Sequence, residues 1–509
     1  MKKYTSDEVQ EVTRILEAII ADRTAISDVE HGTRVALIQA AGRLSRPTRD
    51  EQRKAARSIR KLERRKGQDH DRAVRSGAQI RLARESPVYS APPRLVAASG
   101  AEAGHETEEL RTPRACYVCK AEFTRVHFFY DSMCASCAAL NYEKRFQTAS
   151  LAGRIALITG ARIKIGYQAA LMMLRAGAHV IVTTRFPRDA ASRYAREEDF
   201  ATWKDRLEIH GLDLRHSPSV EIFARYLSLT KPHLDILVNN AAQTVRRPPA
   251  FYAHMLELER LALADLPADV QGLLAGHEAC KRAVAVDAPE LEASQGFVAW
   301  RGEGPAVGIR ASAELAQIPC AFDDPEGDRA LFPVGRVDAD LQQVDLRAMN
   351  SWRMALADVP SAEMLEVQLV NAVAPFILCA KLKGLMLRKP GPARHIVNVS
   401  AMEGQFGRFN KTDKHPHTNM AKAALNMLTL TSARDYAADN IFMNAVDTGW
   451  VTDEDPAALS QRKQEAHDFH PPLDIVDGAA RIMDPVFSHI LTGRAVWGKF
   501  LKDYSESPW

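Results

Sequence analysis

Four cysteines form two close pairs, Cys116 with Cys119 and Cys134 with Cys137, in a chain that contains seven cysteines. Each pair has Cys-x-x-Cys spacing, and fourteen residues separate the two pairs. Two such pairs present four thiolates to one tetrahedral ion, and Zn²⁺ is its usual occupant. Four protein ligands leave no position open for a substrate, so we expect a structural zinc site; the alternative is four unrelated buried cysteines. His127 lies between the pairs and could replace a cysteine, but four cysteines complete the site without it.

A second candidate site lies at a turn that follows the apolar run 155–158 and opens an amphipathic helix. Small residues at a strand-to-helix turn let the backbone approach a pyrophosphate, and the helix N-terminus offers free N–H groups and a favourable dipole. Such a turn suits the approach of a pyrophosphate, although taken alone it is weak evidence for a cofactor site. The residues expected to contact the cofactor here are Thr159, Gly160, Arg162, Lys164, Ile165 and Gly166.

Strand-like runs alternate with helical stretches along the second half of the chain, and these elements would position both sites. Alternation of this kind predicts parallel strands joined by right-handed helical crossovers. The fold class is therefore α/β with a doubly wound parallel sheet. The predicted strands are 155–158, 179–184, 207–212, 236–239 and 395–399.

Composition divides the chain into four predicted regions. Residues 1–85 have apolar residues at helical spacing and form a helical basic region. Residues 86–113 are rich in Pro, Ala, Gly and Glu and indicate a flexible linker. Residues 114–148 form the four-cysteine module. Residues 151–509 form the dinucleotide-binding unit, with an insertion at about 258–346 whose mixed patterning suggests a partly irregular lobe that can act as a lid.

Charge and hydropathy restrict the partners of the chain. The net charge is +3, so no bulk field favours nucleic acid or membrane. Neither a run of 18 apolar residues nor an apolar start is present, so we expect no membrane span, no secretory signal and a cytoplasmic location. Nine basic residues fall between 49 and 66, against three acidic ones. This stripe indicates either nucleic-acid contact or, more commonly, a solvated helix face.

The order of these landmarks resembles the short-chain dehydrogenase/reductase family. The glycine turn, the segment Asp235–Ala242 that ends a second apolar run, Asn371, and the run His395–Ser400 occur in the family's order. The resemblance covers residues 151–260 and 345–509. It implies a Rossmann fold, a nicotinamide cofactor and hydride transfer between a carbonyl and an alcohol.

The resemblance also implies roles for residues around the cofactor. Lys164 replaces the family's middle glycine, so this lysine either contacts a phosphate or reshapes the turn. Thr184 and Arg185 stand where an acidic residue would select NAD, which favours NADP over NAD. Asp213 would contact the adenine. The adenine ribose would lie along Asn239, Asn240 and Ala241, and the nicotinamide carboxamide along Thr448 and Gly449.

In the reaction site implied by the resemblance, Ser400 would bond the substrate carbonyl, Lys422 the nicotinamide ribose and Asn371 a water relay. The family's acid is a tyrosine four residues before the lysine, and Thr418 occupies that position. A phenol has a pKa of about 10 that a neighbouring cation lowers, whereas an aliphatic alcohol starts far higher and is a ring shorter. The candidate replacement acids are His417, His415 and Glu403; a histidine is the better acid near neutral pH.

Two functions agree with this pattern. The first is an NAD(P)-dependent oxidoreductase with a nonstandard proton donor, acting on a small molecule of unidentified structure. The alternative is a catalytically inactive NADP-binding sensor or scaffold that engages a protein or nucleic acid through its zinc module and basic helices. A lyase or epimerase has no motif of its own here. By resemblance, we also expect a homo-oligomer.

Overall fold

The structure is a computed structural model of the 509-residue chain. It describes residues 4–85, 88–92, 109–286, 304, 306–318, 330–338, 341–408 and 411–509. The chain forms two compact units, Met1–Asp71 and Arg72–Trp509. This division falls inside the helical region predicted for residues 1–85. Most of the predicted linker, residues 86–113, lies outside the described residues.

The first unit is helical. Helix α1 (Ser6–Ala21) begins at a capping box in which Thr5 and Glu8 bond each other's backbone N–H groups. Helices α2 (His31–Ser45) and α3 (Arg49–Ser76) follow. None of the residues 4–70 is buried, including the basic run 49–66. Nucleic-acid contact by this run stays a prediction, since an exposed face fits both interpretations.

The second unit contains an eight-stranded sheet, which confirms the predicted doubly wound α/β fold. Its strands are β3 (Ile155–Thr159), β4 (His179–Thr184), β5 (Leu207–Gly211), β6 (Ile236–Asn239), β7 (Arg394–Ser400), β8 (Ile441–Asp447), β9 (Phe500–Lys502) and β10 (Ser505–Ser507). Seven of them run parallel in the order β9-β8-β7-β6-β3-β4-β5, and β10 pairs antiparallel with β9.

Helices cover both faces of this sheet. Ala156 and Ile158 belong to one apolar cluster, and Ile155 and Leu157 belong to the other, because successive side chains of a strand point to opposite faces. The principal helices are α6 (Lys164–Arg175), α7 (Pro187–Tyr194), α9 (Ser217–Thr230), α16 (Ala374–Leu387), α17 (Pro416–Ala438) and α19 (Ile475–Thr492). The shorter helices are α4 (Gln79–Glu85), α5 (Ala135–Arg145), α8 (Phe200–Trp203), α10 (Pro249–Tyr252), α11 (Leu256–Arg260), α13 (Val307–Arg310), α14 (Ser312–Leu315), α15 (Ser361–Gln368) and α18 (Ala457–His467).

The four-cysteine module is a small hairpin followed by helix α5. Strand β1 (Glu109–Ala115) pairs antiparallel with β2 (Glu122–Arg125). The predicted linker therefore extends too far, because its last residues, 109–113, belong to β1. The strand Glu109–Ala115 is mostly polar and contains a proline, so its sequence gives little strand signal.

The predicted insertion contains a long helix, α12 (Ala268–Val286), that packs against the edge strand β5. Val270 and Leu273 of this helix join one core of the sheet, and Cys280 joins the other. Residues 287–303, 305, 319–329 and 339–340 of the insertion lie outside the described residues. The described part is thus more regular than the sequence suggested.

One helical run in the described part of the chain, Ser361–Leu387, is long and apolar enough to cross a membrane by length and composition alone. Half of its most apolar window is buried inside this protein. Leu378 and Leu382 of this run lie in the core between the helices and the sheet.

Candidate functional site

Four of the parallel strands end at predicted site residues, and a fifth ends at Asp447, the residue before the predicted Thr448. Strands β3, β4, β6, β7 and β8 end at Thr159, Thr184, Asn239, Ser400 and Asp447. In doubly wound sheets, ligands bind at the carboxyl ends of the strands, next to the point where the strand order reverses. Here the order reverses between β3 and β6, so the predicted residues lie at the expected edge.

The glycine turn between β3 and α6 packs closely against the segment after β6. Gly160 has φ 67°, and a Cβ there would lie 2.7 Å from the Cα of Ala241. A Cβ on Gly166 would lie 2.3 Å from Nδ2 of Asn240. Lys164 has φ 56°, in the left-handed region that favours glycine. The turn therefore keeps the backbone of a glycine at this position although the residue is lysine.

Thr159 and Asn240 join the two segments by hydrogen bonds. The hydroxyl of Thr159 accepts the backbone N–H groups of Asn240 and Ala241, each at 3.1 Å. Nδ2 of Asn240 donates to the carbonyls of Thr159 and Gly160, each at 3.0 Å. These bonds fix the base of the turn and leave the helix N-terminus facing the adjacent cavity.

That cavity has a volume of about 410 Å³ and gathers most of the predicted cofactor residues. Thr159 and Asn239 lie buried beneath it. Lys422, Thr448 and Gly449 lie outside its lining, although Thr452 and Glu454 of the loop after β8 contribute to it. The predicted residues that line it are Gly160, Arg162, Lys164, Ile165, Gly166, Thr184, Arg185, Asp213, Asn240 and Ala241.

Four arginines line the cavity, and three of them are paired with carboxylates. Arg162 contacts Asp189 at 2.7 Å, Arg215 contacts Asp213 at 2.7 Å, and Arg247 contacts Asp345. Arg162 thus has an acidic partner that the sequence did not indicate.

Arg185 is the fourth arginine, and no carboxylate pairs with it among the described residues. Its Nη2 donates to the hydroxyl of Tyr252 at 2.7 Å, and its guanidinium lies 4.6 Å from the centre of that ring. The hydroxyl of Thr184 accepts the N–H of Phe186 at 3.1 Å. Arg185, at the end of β4, is therefore held by a cation–π contact and a hydrogen bond to Tyr252.

Asp213 is buried and forms a bidentate pair with Arg215. Burial alone would raise the pKa of Asp213, but Arg215 outweighs burial and holds that pKa below its ordinary value. Arg215 also contacts Glu366 at 2.8 Å. The end of the cavity at which the resemblance places the adenine is therefore bounded by a charged network rather than by a lone aspartate.

Asn239 connects central strands beneath the cavity. Its Nδ2 donates to Oδ1 of Asn398 at 2.8 Å, and Nδ2 of Asn398 donates to Thr429 of α17 at 2.9 Å. This chain of hydrogen bonds links β6, β7 and α17. It fixes the helix that carries Thr418 and Lys422.

Ser400 at the end of β7 and Lys422 on α17 are both buried. The hydroxyl of Ser400 donates to Oδ1 of Asn426 at 2.5 Å, and Nζ of Lys422 donates to the carbonyl of Val399 at 2.8 Å. Burial lowers the pKa of Lys422 from its ordinary 10.5 to about 8, although Glu403 and Asp447 act to raise it. No carboxylate contacts this lysine among the residues that the structure describes.

Asn371 lies on a single π-helical turn, Leu369–Val373, between α15 and α16. Its Oδ1 accepts the N–H of Gln243 at 2.7 Å, and its Nδ2 donates to the carbonyl of Gln243 at 3.2 Å. Single π turns inside helices are common at functional sites. Asn371 therefore holds Gln243, which lines the cavity, in place.

Thr418 lies one turn before Lys422 on α17 and is only 1% exposed. Its hydroxyl has no hydrogen-bond partner in the described protein. His417, equally buried, has Nε2 3.4 Å from Oε1 of Glu363 on α15, and neither of its ring nitrogens has a hydrogen-bond partner there. Unpaired buried polar atoms are uncommon in native proteins and mark sites that need an explanation.

The two other candidate acids lie on the same side of the site. His415 stacks on Trp352 at 3.9 Å; burial lowers its pKa, and Glu403 acts in the opposite direction. Glu403 itself contacts Arg408 at 2.6 Å. Because the charge of Glu403 acts on both His415 and Lys422, it lies near both.

The loop after β8 turns sharply at Gly449, which has φ 77°. The N–H of Gly449 donates to Oδ1 of Asp447 at 2.7 Å, and Nζ of Lys502 lies 3.4 Å from Oδ2 of Asp447. Asp447 thus fixes the backbone of this loop through its side chain.

The four predicted metal-ligand cysteines converge. The sulfur atoms of Cys116, Cys119, Cys134 and Cys137 all lie within 4.8 Å of one another. The sulfur atoms of Cys119 and Cys134 are 3.6 Å apart, close to the separation of about 3.8 Å that Zn–S bonds of about 2.3 Å give in a tetrahedron. His127 is outside this cluster; its Nδ1 accepts the N–H of Phe129 at 3.1 Å.

Sequence reasoning missed three partners in the site. Asn426 and Thr429 follow Thr418 and Lys422 on one face of α17, a polar stripe that helical spacing alone can reveal. Glu363 gave no such signal, because its contact with His417 depends on how α15 packs against α17.

The fold and the site together define a dinucleotide-binding protein of the doubly wound type. Residues 154–261 match the family description "short chain dehydrogenase", and residues 335–473 match "Enoyl-(Acyl carrier protein) reductase". The protein belongs to the short-chain dehydrogenase/reductase family and is an oxidoreductase of that family.

Three proteins that the chain resembles share less than a third of their aligned residues with it. Uncharacterized protein R665 of Acanthamoeba polyphaga mimivirus is 28% identical over 390 residues, which cover 74% of this chain and 71% of the viral protein. The 2-dehydro-3-deoxy-D-gluconate 5-dehydrogenase of Formosa agariphila is 27% identical over 35% of this chain and 63% of its own length. The solved Pseudomonas aeruginosa RhlG/NADP complex is 18% identical, with a TM-score of 0.41 over 69% of this chain and 95% of that one.

Proposed function

We propose that the protein is an NADP(H)-dependent oxidoreductase that interconverts a carbonyl and an alcohol with a proton donor other than tyrosine. The glycine turn, the helix N-terminus and the cavity suit a dinucleotide, because a Cβ at Gly160 or Gly166 would collide with the opposite wall. A bound nicotinamide supplies or accepts the hydride. The residues of this chain bind it, orient the substrate and handle the proton.

The buried lysine carries this proposal. Lys422 is 4% exposed and has no anionic partner in the described protein, so its pKa falls to about 8. A desolvated lysine is costly, and such groups cluster where their chemistry is used. Beside it, Ser400 presents a hydroxyl that Asn426 orients. This pair is suited to position a reacting oxygen and the cofactor ribose.

Arg185 supports NADP(H) over NAD(H). Unlike the other cavity arginines, it pairs with no carboxylate in the part of the chain that the structure describes, and it stands at the end of β4, where the family discriminates the two cofactors. A planar guanidinium backed by Tyr252 suits bidentate contact with a 2′-phosphate. An acidic residue at this position would repel that phosphate instead.

For the proton we propose His417. Its Nε2 lies 3.4 Å from Oε1 of Glu363 on α15, and imidazole is the side chain that exchanges a proton near neutral pH. The neighbouring Thr418 is too short and too weakly acidic to replace a phenol. His415, which stacks on Trp352, is the other candidate histidine, and its substitution is the control for that of His417.

The first experiment is a calorimetric titration with NADPH and NADH, followed by absorbance at 340 nm with a panel of aldehydes and ketones. We expect tighter binding of NADPH and its consumption with at least one substrate. Binding without consumption across a broad panel would favour the sensor or scaffold; binding of neither nucleotide would refute the proposal.

The second experiment compares His417→Gln with His415→Gln. Loss of a general acid lowers turnover by about 10²–10⁴-fold. We expect that loss for His417→Gln with NADPH affinity unchanged, and a much smaller loss for His415→Gln. The reverse order would transfer the role to His415, and unchanged turnover in both variants would exclude histidine as the acid.

We propose a structural zinc ion for the four-cysteine cluster. Its sulfur separations suit tetrahedral coordination, and four ligands leave no place for a substrate. Zinc analysis of the purified protein should give one ion per chain.

We also propose self-association through the helices next to the site. Phe376 of α16 and Met420, Met427 and Leu430 of α17 are large apolar side chains that are exposed in the single chain. Sedimentation analysis should show a dimer or larger assembly, and Phe376→Asp should dissociate it.

A further inference from the structure

Tyr117, between the first two cysteines, reaches the loop that follows β8. Its hydroxyl accepts the backbone N–H of Trp450 at 2.9 Å across 333 residues of sequence. A Cβ on Gly449 would lie 3.1 Å from the same oxygen. The loop backbone therefore passes directly against a side chain of the four-cysteine module.

Two residues of the eight-stranded sheet, Lys502 and Asp447, lie next to this contact. Nζ of Lys502, on β9, lies 5.7 Å from the centre of the Tyr117 ring and 3.4 Å from Oδ2 of Asp447. Asp447 accepts the N–H of Gly449 at 2.7 Å. The loop is thus held between its own strand and a tyrosine from another part of the chain.

The cysteine pairs fix the position of Tyr117. Its N–H donates to the carbonyl of Ser132 at 2.8 Å, which ties the first Cys-x-x-Cys pair to the segment before the second pair. Cys116 is fully buried in the apolar cluster of the module, whereas Cys119 is exposed. An ion bound by all four sulfur atoms would lock the residues on either side of Tyr117.

The same apolar cluster reaches the cofactor cavity. Val451 and Leu473, which flank helix α18, pack in it together with Cys116 and Met133. Ile165 of the glycine turn packs against this cluster and also lines the cavity. Thr452 and Glu454, just beyond Trp450, line the cavity as well. The module therefore supports two walls of the cofactor cleft without lining it.

We propose that Tyr117 is a positioning residue for the loop 447–454, and that metal binding by the four cysteines regulates binding at the nicotinamide end of the cleft through this contact. The proposal rests on the proposed function for its ligand. Its test therefore includes a measurement on the loop that needs no cofactor.

The decisive comparison is Tyr117→Phe against Tyr142→Phe in the zinc-loaded full chain. Both changes remove one phenolic oxygen from the module, and the ring of Tyr142 contacts Phe128 and Phe146. The ligands are NADPH and adenosine 2′,5′-bisphosphate, which lacks the nicotinamide half. Loss of one hydrogen bond predicts about fivefold weaker binding of NADPH to Tyr117→Phe, with bisphosphate binding unchanged.

Hydrogen exchange of the peptide containing residues 447–454 provides the cofactor-independent measurement. We expect faster exchange in Tyr117→Phe than in the wild type, and wild-type exchange in Tyr142→Phe. Equal exchange in all three proteins would refute the positioning role, whether or not NADPH binds. If no protein binds NADPH but exchange differs as expected, the proposed function fails and the positioning role stands.

Chelation tests the regulatory part. Removing the ion with EDTA under reducing conditions should weaken NADPH binding to the wild type, and adding Zn²⁺ should restore it. In Tyr117→Phe the same treatment should have a smaller effect, because the contact is already lost. Equal weakening of NADPH and bisphosphate binding would mean that the ion acts on the whole fold, which would overturn this part of the proposal.

Discussion

Replacing Lys422 with methionine should make the protein more stable at neutral pH. Methionine has nearly the same length but carries no charge to desolvate. The pKa of Lys422 falls from 10.5 to about 8 because the side chain is buried. At about 1.36 kcal/mol for each pKa unit, charging this lysine costs the folded state about 3 kcal/mol at pH 7.

The pH dependence separates this cost from the other effects of the substitution. Between pH 8 and 10.5 the unfolded chain binds a proton that the folded chain does not, so the stability contributed by Lys422 rises with pH through that window. Loss of the hydrogen bond to Val399 is the same at every pH. The stability difference between Lys422→Met and the wild type should therefore shrink by about 2 kcal/mol from pH 7 to pH 9.5.

Urea unfolding of the zinc-loaded proteins at pH 7, 8 and 9.5 measures this difference. Lys381→Met, at a side chain that is 54% exposed, reports the effect of removing one surface charge. If the difference in unfolding free energy between Lys422→Met and the wild type stays constant with pH or grows as pH rises, burial does not lower the pKa of Lys422 to about 8. The proposed function would then lose the desolvated lysine on which it rests.

Three further outcomes follow from the geometry. Gly166→Ala should weaken NADPH binding at least tenfold, because the new Cβ would lie 2.3 Å from Nδ2 of Asn240; calorimetry measures this. Arg185→Gln should weaken NADPH binding about tenfold or more and leave NADH binding nearly unchanged, because only NADPH has a 2′-phosphate for the guanidinium to contact. Cys134→Ala should remove the bound zinc, measured by metal analysis, and lower the melting temperature, because three thiolates hold the ion less well than four.

Matched changes serve as controls for these three outcomes. Gly384→Ala places a Cβ in open space on a helix, and Arg225→Gln removes an exposed arginine from α9. Cys280→Ala changes a buried cysteine outside the cluster. Equal effects of a test variant and its control would contradict the corresponding prediction. For Arg185, equal weakening of NADPH and NADH would also do so.

The strands and the residues at their ends were predictable because the chemistry is local. Buried parallel strands require continuous apolar runs, and the turn after β3 requires glycine, so both leave a direct mark on the sequence. The convergence of the four cysteines follows from their spacing in the same way. The roles of Ser400 and Lys422 could be predicted only from the order of the surrounding motifs, which resembles that of the family.

Contacts between distant segments were not predictable. Asp189 pairs with Arg162, Glu363 approaches His417, and Tyr117 meets Trp450 only because separate helices and loops pack together. Nothing in the local sequence distinguishes these residues from surface residues of the same type. The helical regularity of α12 was also missed, because mixed patterning around it concealed a helix that covers a strand edge.

The position of α12 against β5 limits how copies of this protein can meet. An uncovered edge strand offers unpaired N–H and C=O groups to another chain. Here α12 lies over one end of the sheet, and the opposite end is closed by β10, which has three residues and turns back antiparallel. Sheets from two copies therefore have little edge to share, so association that extends the sheet from chain to chain is disfavoured and contact between copies is left to helix surfaces.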